Sequence, residues 1–511
     1  MSQLIKDPKF AHVAVAYEKA EPTDQEVCAL IDDVIAQTFG PKGLAALVKP
    51  GDRVTIKTNI VCAWQGARGE KGRGVITDPR ICRYVAEKVR EVIGWDNGAD
   101  LRVVDACFTD DPNPSGLDNP VGFHGARLNR IPDNLVHPED ITYDYNGNGI
   151  LDGTSGARLI NLDSLQAEDR ELHEVTMASG RKLKVAFPKF LRRKEDATDG
   201  GDYTDVFIGL PVFKNHGFIG CTGSLKLHYG FRSLHAYFGD TGRRGHSGMY
   251  SVNKDGTITA PGRFRLNEYI IAQHKVRSYD LVIMDCLTAN RNGPCSPTGA
   301  VSLTPDPHEA VDYLLTNAIM ASTDPVAIDT VESTLGGYVY NSIDLTRIAA
   351  ENGIGVREAA DIQVNGLEKF TRLRKHLLAT YGPEGRYPLT TSGDPELAAT
   401  VLPQYTVTMD GFTTVPDENG FHHVRYTVHP IGDAKPDIRR IDLVVAECVK
   451  ESIVGDDIPL TGEFVFRHAD YDNMGGAYVV GLISAWDGLF NCVNSTTEFF
   501  IPPDGCEDDY I

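Results

Sequence analysis

AHVAVAY at Ala11–Tyr17, DQEVCALIDDVIAQTF at Asp24–Phe39, DRVTIKTNIV at Asp52–Val61, DPRICRYVAEKVREVIGW at Asp78–Trp95 and ADLRVVDAC at Ala99–Cys107 decide the fold class. The first, third and fifth are short, largely apolar runs that read as strands. The second and fourth repeat apolar residues at helical spacing, and the fourth has Pro79 in its first turn. Strand, helix, strand, helix, strand predicts parallel pairing with right-handed crossovers. Ligands of such sheets sit beyond the carboxyl ends of the strands, which puts the loops after Asn59 and Asp105 on the expected active face.

Residues 126–200 break this alternation. They hold a Gly/Asn/Asp-rich loop and then EVTMASGRKLKVAF (Glu174–Phe187), a hairpin expected to turn at Ser179-Gly180. The α/β pattern resumes with DVFIGLPVF (Asp205–Phe213), YDLVIMDCL (Tyr279–Leu287) and the helical stretch DPVAIDTVESTLGGY from Asp324, with helices expected to about Leu378. RYPLTTSGDPE (Arg386–Glu396) reads as a linker. Beyond it, QYTVTMDGF, HHVRYTVHPI, RIDLVVAECV, GEFVFRHA and AYVVGLISAW read as short strands separated by turns. The expected fold is α/β: two parallel-sheet α/β halves with an inserted β-hairpin/calcium-like loop region and a C-terminal immunoglobulin-like β-sandwich. The expected boundaries are 1–125, 126–200, 201–385 and 400–511, with a site between the two α/β halves.

A net charge of −21 speaks against nucleic acid, whose phosphates are held by clustered Lys and Arg. The basic run Lys189–Lys194 is short and reads as a solvated loop. The sequence has no apolar run long enough for a membrane span. The amino terminus lacks a signal pattern, so the protein is expected to be cytoplasmic or to have lost an export signal. The ten cysteines form no CxxC pair, which weakens zinc-ribbon and ferredoxin readings. Cys492 and Cys506 are left open as a pair in an oxidising compartment.

The densest chemistry lies in LPVFKNHGFIGCTGSLKLHYG, Leu210–Gly230. A strand ends near Leu210, and a loop follows with Lys214, Asn215 and His216, then Gly220, Thr222 and Gly223, then Lys226 and His228. Glycines let a backbone approach a ligand and offer it N–H groups. Lysine brings a point charge or a covalent amine, and histidine a metal ligand or proton carrier. Lys57 and Asn59 end a strand on the same face, with Cys62 beyond. Asp105 and Asp285 end apolar strands, where a carboxylate serves a metal, a proton or a turn. Asp324 reads as a helix N-cap, and Cys221 as a thiolate ligand or a buried thiol.

IKTNIV (Ile56–Val61), TDPR (Thr77–Arg80), DVFIGLPVFKNHGFIGCTGSLKLHYG (Asp205–Gly230), YDLVIMD (Tyr279–Asp285), NGP (Asn292–Pro294) and STDPVAID (Ser322–Asp329) together resemble the family catalogued as domain of unknown function 362. A more distant likeness is to the nickel-pincer lactate racemase family, whose segment has the pattern His-x-Phe-x-Gly-x-Ser-Gly-x-x-Lys. Here His216, Phe218, Gly220, Thr222, Gly223 and Lys226 have the same spacing. The resemblance implies a phosphate-bearing cofactor or metal complex, with His216 near the metal and Lys226 tethering the cofactor. His228, His235 and His246 do not fall at the positions of that family's other histidines. Lys57, Asn59, Thr77, Asp78, Lys214, Gly220, Thr222 and Gly223 are the expected cofactor-binding residues, with His216 and Lys226 catalytic.

DYNGNGILDG from Asp144 follows most of an EF-hand loop. Asp144, Asn146 and Asn148 offer side-chain oxygens at positions one, three and five, Gly149 turns at six, Ile150 offers its carbonyl at seven and Asp152 stands at nine. Position twelve is Ser155, where a bidentate Glu belongs. A structural Ca²⁺ is expected, and such loops suit extracellular calcium, which favours a secreted or envelope location over a cytoplasmic one.

Two functions stay open. One is a metal- or cofactor-dependent enzyme acting on a small acid or hydroxy acid. The other is a secreted or envelope assembly protein, with homo-oligomers formed through the immunoglobulin-like domain and the calcium loop on a non-catalytic scaffold.

Overall fold

The computed structural model describes residues 11–18, 20–60, 74–106, 123–124, 142–180, 182–216, 220–231, 266–290, 313–335, 343–358, 361–366, 405–413, 416–433, 435–445, 449–467, 477–487 and 492–501. The chain opens with β1 (Ala11–Tyr17) and α1 (Asp24–Phe39). Thr23 and Glu26 close a reciprocal capping box at the start of α1, and Gly40, at φ +66°, ends it. Next come β2 (Arg53–Lys57), α2 (Pro79–Ile93, capped by Asp78) and β3 (Asp100–Asp105). The strands β4 (Arg158–Asn161), β5 (Arg170–Thr176), β6 (Lys182–Pro188), β7 (Val206–Gly209), β8 (Val212–His216) and β9 (Gly220–Thr222) follow. After them come the one-turn helix α3 (Ser224–Leu227), α4 (Leu266–Val276), β10 (Leu281–Asn290), β11 (Tyr313–Ser322), α5 (Pro325–Leu335), α6 (Asp344–Glu351) and β12 (Ile362–Asn365).

The main path of the large sheet runs β12-β1-β11-β10-β7-β2-β3-β4, with β8 pairing to β10 and β9 to β8. Seven of the eight strands on that path point the same way, and β11 alone runs antiparallel, between β1 and β10. The expected two parallel-sheet halves are therefore one mixed sheet. β2 shows why: its Val54 and Ile56 are buried, and the strand has a neighbour on each edge, β3 from the first half and β7 from the second. The loss of water on both sides lets a strand of this composition sit at a sheet centre.

Alternate side chains divide the core between the two faces. Val13, Val15, Val104, Phe207, Val282, Met284 and Met320 join one cluster with α4, α5 and the β5–β6 hairpin. Ala14, Ala16, Val103, Ile208, Leu281, Ile283 and Ile319 join another with α1 and α2. The hairpin turns where the sequence put it, with Gly180 at φ +79°. β4 of the expected insertion adds an edge strand to the large sheet. The expected helical run to Leu378 contains a strand, β12, and the remainder past Gly366 lies outside the described residues, as does the linker.

Two antiparallel sheets close the chain. β13 (Tyr405–Phe412), β14 (Phe421–Pro430) and β17 (Thr461–Arg467) form one, in the order β13-β14-β17. β15 (Ile438–Val445), β16 (Val449–Val454), β18 (Ala477–Asp487) and β19 (Cys492–Ile501) form the other, in the order β16-β15-β18-β19. The Tyr405 hydroxyl donates to the Ala485 carbonyl at 3.3 Å, tying β13 to β18. Among the described residues, no helix is long and apolar enough to cross a membrane. Cys28, Cys82, Cys221 and Cys286 are free thiols, and Cys506 lies outside the described residues.

Ile283 is fully buried in β10, where the parallel and antiparallel parts of the sheet meet. Ile283→Ala is expected to lower stability by about 2–5 kcal/mol in urea unfolding.

Candidate functional site

β7 stops at Gly209, and Pro211, which has no amide hydrogen, separates it from β8. Both strands run beside β10: β7 pairs with Leu281 and Val282, β8 with Asp285 and Asn290. The β8–β9 hairpin thus stands beyond the carboxyl edge of the sheet. Its register pairs Lys214 with Thr222, Asn215 with Cys221 and His216 with Gly220. The hairpin tip, Gly217–Ile219, lies outside the described residues.

Lys57, at the end of β2, is buried and lies 2.6 Å from Asp105 at the end of β3. Its ammonium also donates to the Thr58 carbonyl at 2.7 Å and sits below the Phe231 ring. The second Asp105 oxygen accepts from the Thr58 hydroxyl and the Ile60 amide. Burial pushes the Asp105 carboxyl up, and Lys57 pulls it back only in part. Asp105 is accordingly committed to holding strand ends.

A chain of hydrogen bonds leads from there to the hairpin. The Asn59 amide donates to the Thr77 hydroxyl at 2.9 Å, and that hydroxyl donates to the Leu210 carbonyl at 2.7 Å. Asp78 accepts from the Arg80 amide as the cap of α2 and from the Arg80 guanidinium, which also reaches Asp24. The Asp78 amide donates to Asp285 at 2.7 Å, and the other Asp285 oxygen takes the Leu287 amide. Burial, then the neighbouring Asp78 charge, raises the Asp285 carboxyl far above its ordinary value. The buried Lys214 ammonium donates to the Val75 carbonyl at 2.6 Å, tying β8 to the same turn.

On the other side of the hairpin, Asp329 of α5 accepts the Ser224 amide at 2.7 Å, the Leu225 amide at 2.9 Å and the Ser224 hydroxyl at 2.7 Å. It caps the turn that carries Lys226. The Ser224 and Leu225 amides, just after the expected ligand-binding residues Gly220, Thr222 and Gly223, are thereby engaged. Lys226 is buried, with its ammonium 5.2 Å from the Tyr229 ring centre. The Thr222 hydroxyl is buried without a hydrogen-bond partner among the described residues. His228 stacks on His274 with ring centres 3.5 Å apart and hydrogen-bonds the Arg277 carbonyl. Burial, then His274, holds its pKa well below the ordinary value, so the ring is neutral.

Asp324 caps α5 as expected, accepting the Val326 and Ala327 amides, and Cys221 is a buried thiol. Cys62, His235, His246 and Asn292–Pro294 lie outside the described residues. In the calcium-like loop, Asp144 accepts the Asn148 and Gly149 amides, the Asn148 side chain accepts the Ile150 amide, and Asp152 accepts the Tyr145 amide and the Thr142 hydroxyl. Asn146 is exposed. No group of three His, Cys, Asp or Glu side chains able to hold a metal occurs among the described residues.

Sequence reasoning missed three residues. Tyr143 precedes the calcium-like loop, and its hydroxyl donates to the Thr77 carbonyl at 2.5 Å. Asp329 and Glu332 line the back of the hairpin at Gly223. Two acids three apart on α5, which has no other charged residue, were the available signal.

The fold and this edge define an α/β protein whose polar centre is assembled from separated sequence segments at the carboxyl ends of parallel strands. The chain belongs to the family described as Domain of unknown function (DUF362), whose model matches residues 54–334. No curated protein and no solved structure matches it.

Lys57→Ala leaves the Asp105 charge buried and unpaired, and is expected to cost about 3–5 kcal/mol in chemical unfolding. The double replacement Lys57→Met with Asp105→Leu should recover most of that loss.

Proposed function

We propose that the chain is a metal- or cofactor-dependent enzyme acting on a small acid or hydroxy acid, with its ligand held along the turn from His216 to Lys226. The observation that carries this reading is convergence. Segments far apart in the sequence, Ile56–Ile60, Thr77–Arg80, Leu210–Gly230, Asp285 and Asp329, are joined by hydrogen bonds around one hairpin. The buried ammonium groups of Lys214 and Lys226 suit a carboxylate or phosphate. The Thr222 hydroxyl, buried without a hydrogen-bond partner among the described residues, is a polar atom that a ligand in the turn would meet. In this reading His216 serves as metal ligand or proton carrier, and Lys226 contacts or tethers the cofactor. The spacing shared with nickel-pincer lactate racemases makes a nickel-bearing nucleotide one form of that cofactor.

Elemental analysis and intact-mass measurement of native protein test this. The expected result is a metal or a mass adduct that His216→Ala and Lys226→Ala each remove. Protein carrying neither, with ligand binding unaffected by His216→Ala, sinks the enzyme reading.

The second reading, a secreted or envelope assembly protein, draws on the strand orders β13-β14-β17 and β16-β15-β18-β19. These suit an immunoglobulin-like sandwich. Ca²⁺ at Asp144, Asn146, Asn148, Ile150 and Asp152 would brace the insertion, and the turn that Asp144 and Gly149 form supports this. Calcium titration is expected to raise the melting temperature of the wild type and leave Asp144→Ala unmoved. Regular oligomers or filaments in electron micrographs would favour assembly.

A further inference from the structure

Glu332 of α5 is completely buried, and neither of its carboxyl oxygens has a hydrogen bond of ordinary geometry among the described residues. Asp329 lies three residues earlier on the same helical face. Gly223 shows how close the two acids come. A Cβ placed there would sit 2.2 Å from a Glu332 oxygen and 2.4 Å from an Asp329 oxygen. Two carboxyl groups facing one methyl-sized point, away from water, cannot both hold a negative charge.

Their surroundings divide the roles. Asp329 takes two amides and a hydroxyl, which favour its ionised form. Glu332 has the Lys214 backbone and ammonium beside it. Burial, then Asp329, pushes the Glu332 carboxyl well above its ordinary value, while burial puts Asp329 at about 7. The other ionisable groups bearing on the pair are Asp324 at the start of α5, the Cys286 thiol of β10 and the Tyr279 hydroxyl.

We propose that Asp329 and Glu332 form a charge-coupled carboxyl pair, a dyad behind Gly223 that holds one proton, on Glu332, and one charge, on Asp329, and that the dyad positions the Thr222–Lys226 turn. The role in positioning rests on the site reading above; the proton on Glu332 does not. Glu332 and Asp329 are positioning residues, since they reach the turn from behind. The clamp holds while that proton is kept. Loss of that proton at high pH puts two charges against Gly223 and forces the turn open.

The sign follows from linkage. A carboxyl whose folded pKa is raised above its unfolded value of about 4.3 takes up a proton on folding. Stability is full below that value and falls as pH rises towards the folded pKa, by up to about tenfold in the folding constant per pH unit. Glu332→Gln copies the protonated acid and removes that slope.

The test has three readouts. Melting temperatures of wild type and Glu332→Gln, measured from acid to alkaline pH, are expected to coincide at the acid end and separate upward, the variant being the more stable. In infrared difference spectra at neutral pH, the wild type should show a protonated-carboxyl C=O band that Glu332→Gln lacks. Hydrogen exchange of the peptide over 221–231 should rise at alkaline pH in the wild type and stay low in the variant. A stability difference that does not change with pH, or no protonated-carboxyl band, overturns the dyad. Exchange that rises equally in both proteins overturns its positioning role. Should Glu332→Gln fail to fold, the infrared band that remains in Asp285→Asn, where the other strongly raised carboxyl is gone, decides in its place. An absent cofactor would leave the proton on Glu332 standing, so the two readings fail separately.

Discussion

The Lys57 ammonium and the Asp105 carboxylate meet at 2.6 Å where water scarcely reaches, at the ends of two neighbouring parallel strands. Neither charge is tolerable there alone, because an unpaired buried ion costs several kcal/mol. Each therefore fixes the other, and the remaining carboxylate capacity is spent on Thr58 and Ile60. This orients the chain leaving β2 so that Asn59 meets Thr77 and Thr77 meets Leu210. The start of the hairpin is thereby set by an ion pair two strands away.

The hairpin is held from two sides that differ in kind. On one side the acceptors are backbone carbonyls: those of Leu210 and Val75 take a hydroxyl and an ammonium. On the other, the Asp329 carboxylate grips amides and Glu332 stands behind it. Buried acids of this number do not serve stability, since apolar residues of similar volume would be neutral or better. Their density at one edge of an otherwise apolar sheet is what distinguishes this place from the rest of the core.

Much of the architecture was legible in the sequence, because apolar period and turn chemistry agree at β2, α2, β3, the β5–β6 hairpin and most of the closing strands. β11 escaped notice because Thr316 and Asn317 interrupt its apolar run, and Asn317 takes φ +52°. β16 and β19 mix Lys, Glu, Ser and Thr with their apolar residues and read poorly as strands. The single sheet was hidden for a different reason: which strand lies beside β2 depends on long-range pairing, and no local pattern encodes it. In the site, the segment from His216 to Lys226 read as a loop, whereas its flanks pair as β8 and β9. What the sequence could not display was that Asp329 would occupy the amides of the turn, since α5 begins about 100 residues downstream of it and they meet only through packing.

The position of β1 has a bearing on how the chain is born. Its two neighbours in the sheet are β11 and β12, whose residues are 313–322 and 362–365. AHVAVAY is made about 300 residues ahead of the strands that flank it among the described residues. At about 5–20 residues per second, that is a wait of some tens of seconds with an apolar, β-prone segment unpaired. β11, the antiparallel strand on the main path of the sheet, is thus also a clock: until it is made, β1 lacks the neighbour that joins it to β10.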